Sequence, residues 1–297
     1  MPLCGEPYVI TGGVYMDVGR LGVWNVGLRL GDAKRNAEAA AELEELGYGT
    51  VWLGGGPGVA EAAPLLQATS RLVVATGILN IWDHEPEAVA EQSAALDEDH
   101  PGRFLLGLGA SHSALVGDRY SRPYSAMIDY LDRLDAAGSP AGSRVLAALG
   151  PKMLAASRDR AAGAHPYLVT PEHTSRARET LGAGPLLAPE VKVVLNRDLA
   201  AARDVARGHL ATYLRLPNYT SNLLRLGFSE DDVAGAGSDL LVDSVFALGD
   251  VDAVARRVTE HFDAGADHIA IQAVTPEMTD VPLADWRKLA PLATAGA

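Results

Sequence analysis

The chain has 297 residues, 48% of them hydrophobic, with 38 acidic against 25 basic residues for a formal net charge of −13, and a single cysteine. That balance, with no Lys/Arg-rich run to follow a phosphate backbone, argues against nucleic acid as a partner, and no window holds the roughly 18 consecutive apolar residues of a transmembrane helix. Cys4 alone excludes an intramolecular disulfide and disfavours a cysteine-based metal site, while MPLCGEPYVITGG lacks the basic-then-apolar order of a secretory signal, so a cytoplasmic protein is expected.

Strand-like runs occur at LGVWNV (Leu21 to Val26), LGYGTVWL (from Leu46), LVVATGI (Leu72 to Ile78), FLLGLG (Phe104 to Gly109), VLAAL (Val145 to Leu149), AGAHPYLV (from Ala162), VKVVL (Val191 to Leu195) and AGADHIAI (from Ala264). They read as continuous apolar runs, as parallel strands buried on both faces require. The runs from Leu46, Ala162 and Ala264 each place glycine just past a helical pattern, where a left-handed cap is expected. Helical spacing lies between the strands, as in Met127, Tyr130, Leu131, Leu134 and in Val251, Val254, Ala255, Val258, Phe262. Alternating β and α units predict an α/β fold, a single (β/α)8 TIM barrel over 1–297, in preference to a doubly wound open sheet.

The connection from Leu195 to His268 is too long for one crossover. It contains a Pro217-Asn218 break and Ser229-Glu230-Asp231-Asp232, a capping-box pattern that predicts the start of a helix. We expect a helical insertion between strands seven and eight, at roughly 197–250, serving as a lid. The Pro217 break would turn Tyr213, Asn218 and Tyr219 toward the barrel mouth as substrate contacts; the alternative is that the tyrosines pack within the insertion.

Barrel enzymes work at the carboxyl ends of their strands, which sorts the candidates by position. His112 follows strand four and is the catalytic candidate, against a solvated loop histidine. Gly107 and Gly109 before it would let a flat ring or a phosphate approach the backbone. His165 and His268 fall at or just before strand starts and are expected to be structural. After strand five, Gly150, Pro151 at a first helical position, and Lys152 make a helix start that favours a phosphate, although Gly-Pro also serves as simple punctuation. The loop after strand three carries Asn80, Trp82 and His84 before Pro86 opens a helix. Trp24 and Trp82 are candidate aromatic walls for a substrate, Trp82 alternatively a cover for the rim. There is no H-x-H after the first strand, no GxGxxG opening a helix and no G-x-S-x-G, so no metal is expected.

LGVW, ELEELGYGTVWLG, ATGILNIW, HPGRFLLGLGASH, RYSRPYSAMIDYLD, VLAALGPKM, GAHPYLVTPEH, LPNYTSNLLRLGF and AGADHIAIQ together resemble the bacterial-luciferase-like flavin and deazaflavin oxidoreductases, most of all the actinobacterial coenzyme F420-dependent branch. The resemblance implies the barrel, an insertion before strand eight, and a cofactor at the carboxyl end. It implies a bulge at Thr76, Gly77 and Ile78, often with a non-prolyl cis peptide, behind the ring system. Backbone around Gly109, Ala110 and Ser111, around Ala148, Gly150 and Pro151, and at Val169 and Thr170 would line the rest of the cofactor site, with Asn80 and Lys152 beside it. The implied chemistry is hydride exchange between coenzyme F420 and a small organic substrate, with His112 supplying or removing the proton. The alternatives are an FMN-dependent monooxygenase and a non-catalytic deazaflavin-binding barrel. Family members are often homodimers, which sets that expectation here. Gly54-Gly55-Gly56 and His112 stand where the related glucose-6-phosphate dehydrogenases carry an Asp-His pair and a glutamate, which argues against sugar-phosphate oxidation.

Overall fold

The computed structural model describes residues 8–11 and 14–294; Cys4 lies outside the described residues. Eight parallel strands, β1 (Leu21–Asn25), β2 (Thr50–Gly54), β3 (Val73–Gly77), β4 (Phe104–Gly109), β5 (Arg144–Leu146), β6 (Gly163–Ala164), β7 (Glu190–Leu195) and β8 (Ile269–Ala273), lie in the order β6-β5-β4-β3-β2-β1-β8-β7. The short segment Leu186–Leu187 runs parallel to β6 and passes through Ala188-Pro189 into β7. The Glu190 amide then donates to the Pro166 carbonyl at 2.8 Å, which curls the sheet closed. The fold is the α/β barrel read from the sequence.

The helices are α1 (Ala33–Glu45), α2 (Ala63–Ala68), α3 (Pro86–Asp99), α4 (Ser113–Val116), α5 (Pro123–Ala136), α6 (Pro151–Arg160), α7 (Pro171–Leu181), α8 (Leu199–Tyr213), α9 (Pro217–Arg225), α10 (Asp239–Val245), α11 (Val251–Asp263) and α12 (Leu283–Thr294). None among the described residues is long and apolar enough to cross a membrane. Because successive strand residues face opposite sides, two cores form. Val51, Leu53, Leu106 and Ile271 pack outward against helix residues such as Leu43, Leu131 and Leu289. Trp52, Val73, Leu105, Val145 and Ala270 fill the barrel, joined by Met16 and Val18. Met16 belongs to an antiparallel hairpin, Tyr8–Thr11 with Val14–Asp17, that the strand reading did not include. His165 and His268 are buried against Trp52, as structural residues should be.

Two local expectations differ. Gly47 and Gly265 take the left-handed cap conformation (φ 89° and 98°), but Gly163, the third glycine of that set, lies inside β6. There a Cβ would sit 1.9 Å from the Leu186 carbonyl oxygen, so closeness of the next chain segment, not a cap, requires it. Ser229 and Asp232 do form reciprocal capping-box bonds, yet they close a turn and open no helix, because Gly235 and Gly237 follow at φ 61° and 88°. The next helix, α10, starts only after Ser238 caps it. A further strand, Phe246–Gly249, pairs with the carboxyl half of β7, with Lys192 opposite Phe246.

Candidate active site

At the carboxyl ends of β1 to β3, the Trp24 indole lies across two glycines. A Cβ on Gly54 would come within 2.3 Å of the ring, and Trp24 Nε1 donates to the Gly77 carbonyl at 2.9 Å. The Gly77–Ile78 peptide is cis. Around it the ladder between β3 and β4 is interrupted, and Thr76 bridges the gap: its Oγ1 donates to the Gly107 carbonyl (2.7 Å) and accepts from the Gly107 amide (2.8 Å). Thr76 is therefore fully buried and committed to the bulge. The close approach to Gly107 and Gly109 is made by the chain itself: a Cβ on Gly107 would stand 2.0 Å from the Thr76 oxygen, and one on Gly109 2.5 Å from Ile78 Cδ1. No ligand is needed to explain either glycine.

Beyond β4, Ser111 takes φ 56°, a conformation that costs a non-glycine residue energy, and delivers His112 to the mouth. His112 Nδ1 is buried without a partner. Burial lowers the pKa of the ring, so His112 is neutral at neutral pH and offers an acceptor nitrogen. Its ring tilts against Tyr219 at 5.2 Å, Tyr219 meets Tyr213 edge-on at 5.3 Å, and Tyr213 tilts against Tyr167 at 5.4 Å. Tyr213 on α8 and Tyr219 on α9 pack into the apolar cluster of the insertion's own helices and also touch Tyr167 and His112, whereas Asn218 is exposed.

Beneath them lies a polar group that the sequence reading missed. Tyr167 Oη donates to Gln272 Oε1 at 2.9 Å, so the 2.7 Å bond between the two hydroxyls is donated by Tyr213. Lys192 Nζ, fully buried, donates to Glu190 Oε1 (2.8 Å) and Gln272 Oε1 (3.1 Å) and sits 3.5 Å over the Tyr167 ring. Burial pulls Lys192 down to about 8 and Glu190 up, each toward neutrality, against their mutual attraction. The available signal was a lysine at an inward position of an apolar strand.

The remaining candidates lie in the segments that follow β3, β5 and β6. Asn80 bonds Asp83, and Trp82 Nε1 donates to the Ala110 carbonyl at 2.6 Å. Ala148 and Val169 are buried, and Thr170 Oγ1 caps α7 through the His173 amide. Gly150 is the N-cap of α6 with Pro151 in its first turn, and Lys152 is exposed. His173 Nε2 meets the Leu149 carbonyl at 2.9 Å and fixes the loop before Gly150.

Comparison with known proteins agrees with this architecture. The luciferase-like monooxygenase family model matches residues 15–140. A Mycobacterium tuberculosis protein named as a coenzyme F420-dependent oxidoreductase, Rv3520c, is 24% identical over 85% of this chain and 96% of its own. Among solved structures, an F420-dependent secondary alcohol dehydrogenase in complex with an F420–acetone adduct superposes with a TM-score of 0.69 at 14% identity, covering 93% of this chain and 99% of that one. The FMN-containing oxygenating constituent of 3,6-diketocamphane monooxygenase from Pseudomonas putida does so with a TM-score of 0.67 at 14% identity, covering 94% and 97%.

Proposed function

Proceeding from a luciferase-like oxidoreductase barrel, we propose that the chain binds coenzyme F420 at the carboxyl end of its strands and exchanges hydride with a small organic substrate. The observation that carries the reading is His112 Nδ1, a buried nitrogen with no protein partner at a mouth otherwise walled by neutral aromatic rings. Such an atom fits a site completed by a bound molecule. Gly150 fits as well: a Cβ there would meet almost nothing, so the first turn of α6 is open to a phosphate.

The cofactor would be held by the segment around Gly77 and Ile78, with Asn80 near it, by Gly109, Ala110 and Ser111, by Ala148 and Gly150 to Lys152, and by Val169 and Thr170. When bound, the deazaflavin supplies two-electron hydride chemistry. The tasks left to the protein are orientation and proton management. Trp24 and Trp82 wall the site, and Tyr213 and Tyr219 cover it from the insertion. His112, kept neutral by burial, takes the substrate proton when hydride leaves and returns it in the reverse direction. Tyr167 and Tyr213 stay protonated, because burial raises both hydroxyls. The proposal extends to a cytoplasmic homodimer, which light scattering on purified protein tests for assembly.

A second reading, an FMN-dependent monooxygenase, is favoured by the family model's own description and by the likeness to an FMN-containing structure. Parallel titration of the purified protein with coenzyme F420 and FMN decides between them: tighter binding of FMN, with oxygen consumption on reduction, would sink the F420 reading. Tight F420 binding without hydride exchange on any substrate panel would point to a non-catalytic carrier.

A further inference from the structure

Asn222 and Arg225 stand on the last turn of α9, where the insertion crosses the start of α6. Arg176 Nη1 on α7 donates to the Arg225 carbonyl at 3.1 Å and pins that turn to the barrel. The Arg225 guanidinium reaches over Gly150: its Nη2 is the one group within 4 Å of where a Gly150 Cβ would stand, at 3.9 Å. Gly150 caps α6 without a side chain, so the positive end of that helix is open beside a second positive charge. Glu172 on neighbouring α7 is committed to Arg176. Neither Lys152 nor Arg225 takes part in an ion pair among the described residues, although the chain carries a net charge of −13.

Asn222 supplies an independent observation. It is 3% exposed, its Oδ1 accepts from Arg225 Nη2 at 3.2 Å, and its Nδ2 is left buried beside that guanidinium with no acceptor. Arg225 is the link between them: it has no counterion among the described residues, donates to the oxygen of an amide whose nitrogen is buried without an acceptor, and stands 3.9 Å from the Gly150 Cβ position at an open helix start, so the three groups share a single missing complement, an anion.

We infer that Asn222 and Arg225 complete, with the start of α6, a binding site for the phosphate of the bound cofactor, so that one phosphate joins the insertion to the barrel. The identity of the ligand rests on the cofactor reading above; the anion does not. Of two chromophore pairs, FMN against riboflavin isolates the phosphate, and coenzyme F420 against its phosphate-free chromophore removes the phosphate together with the tail beyond it. Affinities are read by fluorescence titration of wild type, Arg225→Gln and Gly150→Ala; the alanine puts a methyl group into open space and spares the fold. The expected result is a loss of ~10- to 100-fold for the phosphate-bearing member in both variants, the scale of a charge-assisted hydrogen bond, with the phosphate-free member little changed. Equal losses for both members, or none, would overturn the site. If wild type binds no chromophore, the cofactor reading fails and inorganic phosphate judges the anion site. A rise in thermal midpoint with phosphate, against chloride at matched ionic strength, that disappears in Arg225→Gln supports it; no rise overturns it.

Discussion

Trp52 Nε1 donates to His268 Nε2 at 3.0 Å inside the barrel, and His268 Nδ1 in turn meets the Gly19 carbonyl at 2.7 Å. Both nitrogens of His268 are thus spoken for in the neutral ring, and a second proton would expel the Trp52 bond. His165, stacked on Trp52 at 4.0 Å, is held through Nδ1 by the Ala188 carbonyl. Burial lowers His165, His209 and His261 to about 3 and His268 to about 4 from 6.5.

Acid stability follows with a definite sign. These folded-state values lie below the unfolded one, so the native state is favoured fully above pH ~6.5. Each histidine then costs it about 1.4 kcal/mol per pH unit on acidification. Four such groups draw on a total stability of roughly 5–15 kcal/mol, and the fold should be lost cooperatively before the lowest folded-state values are reached. Urea midpoints between pH 7 and 4.5 measure this; a flat profile over that window would remove the argument.

The Glu190–Lys192 pair gives a second test. Removing one partner leaves the other charge buried, at a cost of about 3–5 kcal/mol, whereas replacing both can be nearly neutral. Lys192→Met should fall in that range by denaturant unfolding, and Glu190→Gln with Lys192→Met should recover most of it. A strictly additive double variant would mean that the two side chains do not act as a pair.

Glycines on β4 and at α6 should differ in their response to alanine. Gly107→Ala drives a methyl group to 2.0 Å from the Thr76 oxygen, a backbone atom that cannot turn aside, and should destabilise by about 1–3 kcal/mol or more. Gly150→Ala should be close to neutral in stability. Equal thermal midpoints for the two proteins would contradict the account of the Thr76 bridge.

How much of this the sequence exposed depends on the length scale of the feature. β1 to β4 were legible because their largely apolar residues are buried on both faces, and α5 and α11 because their apolar stripes recur at helical spacing; β5 overlaps the expected run only at Val145 and Leu146, because it starts on the buried Arg144 and ends before Ala147. The Phe246–Gly249 strand was hidden because four residues following directly on α10 carry no period of their own. The glycines of FLLGLG were legible as points of close approach, but their partners were the Thr76 carbonyl and the Ile78 side chain, which only the bulge brings there. Tyr167 comes from the segment after β6, Lys192 from β7 and Gln272 from β8, and no local pattern links them. Arg225 and Asn222 look like the polar face of a helix until the insertion folds across α6.

The most exposed element of the functional reading is His112. Its ring is carried to the mouth by β4 and by the left-handed Ser111, packs against Tyr219, and presents Nδ1 with no protein partner. Burial lowers its pKa, so the working form is the neutral ring, which suits a proton acceptor better than a donor. The rate of hydride removal from substrate should therefore fall as pH drops through a value below 6.5 and hold level above it. His112→Ala should slow the chemical step by ~10²–10⁴-fold, the usual worth of positioned acid–base catalysis. Cofactor affinity should be nearly unchanged, because backbone at the bulge and at the start of α6 would do most of the holding. Single-turnover absorbance of the cofactor, with affinity titrated in parallel, separates the two effects. A variant that keeps full single-turnover speed, or one that loses cofactor affinity as steeply as speed, would move His112 from proton transfer to packing.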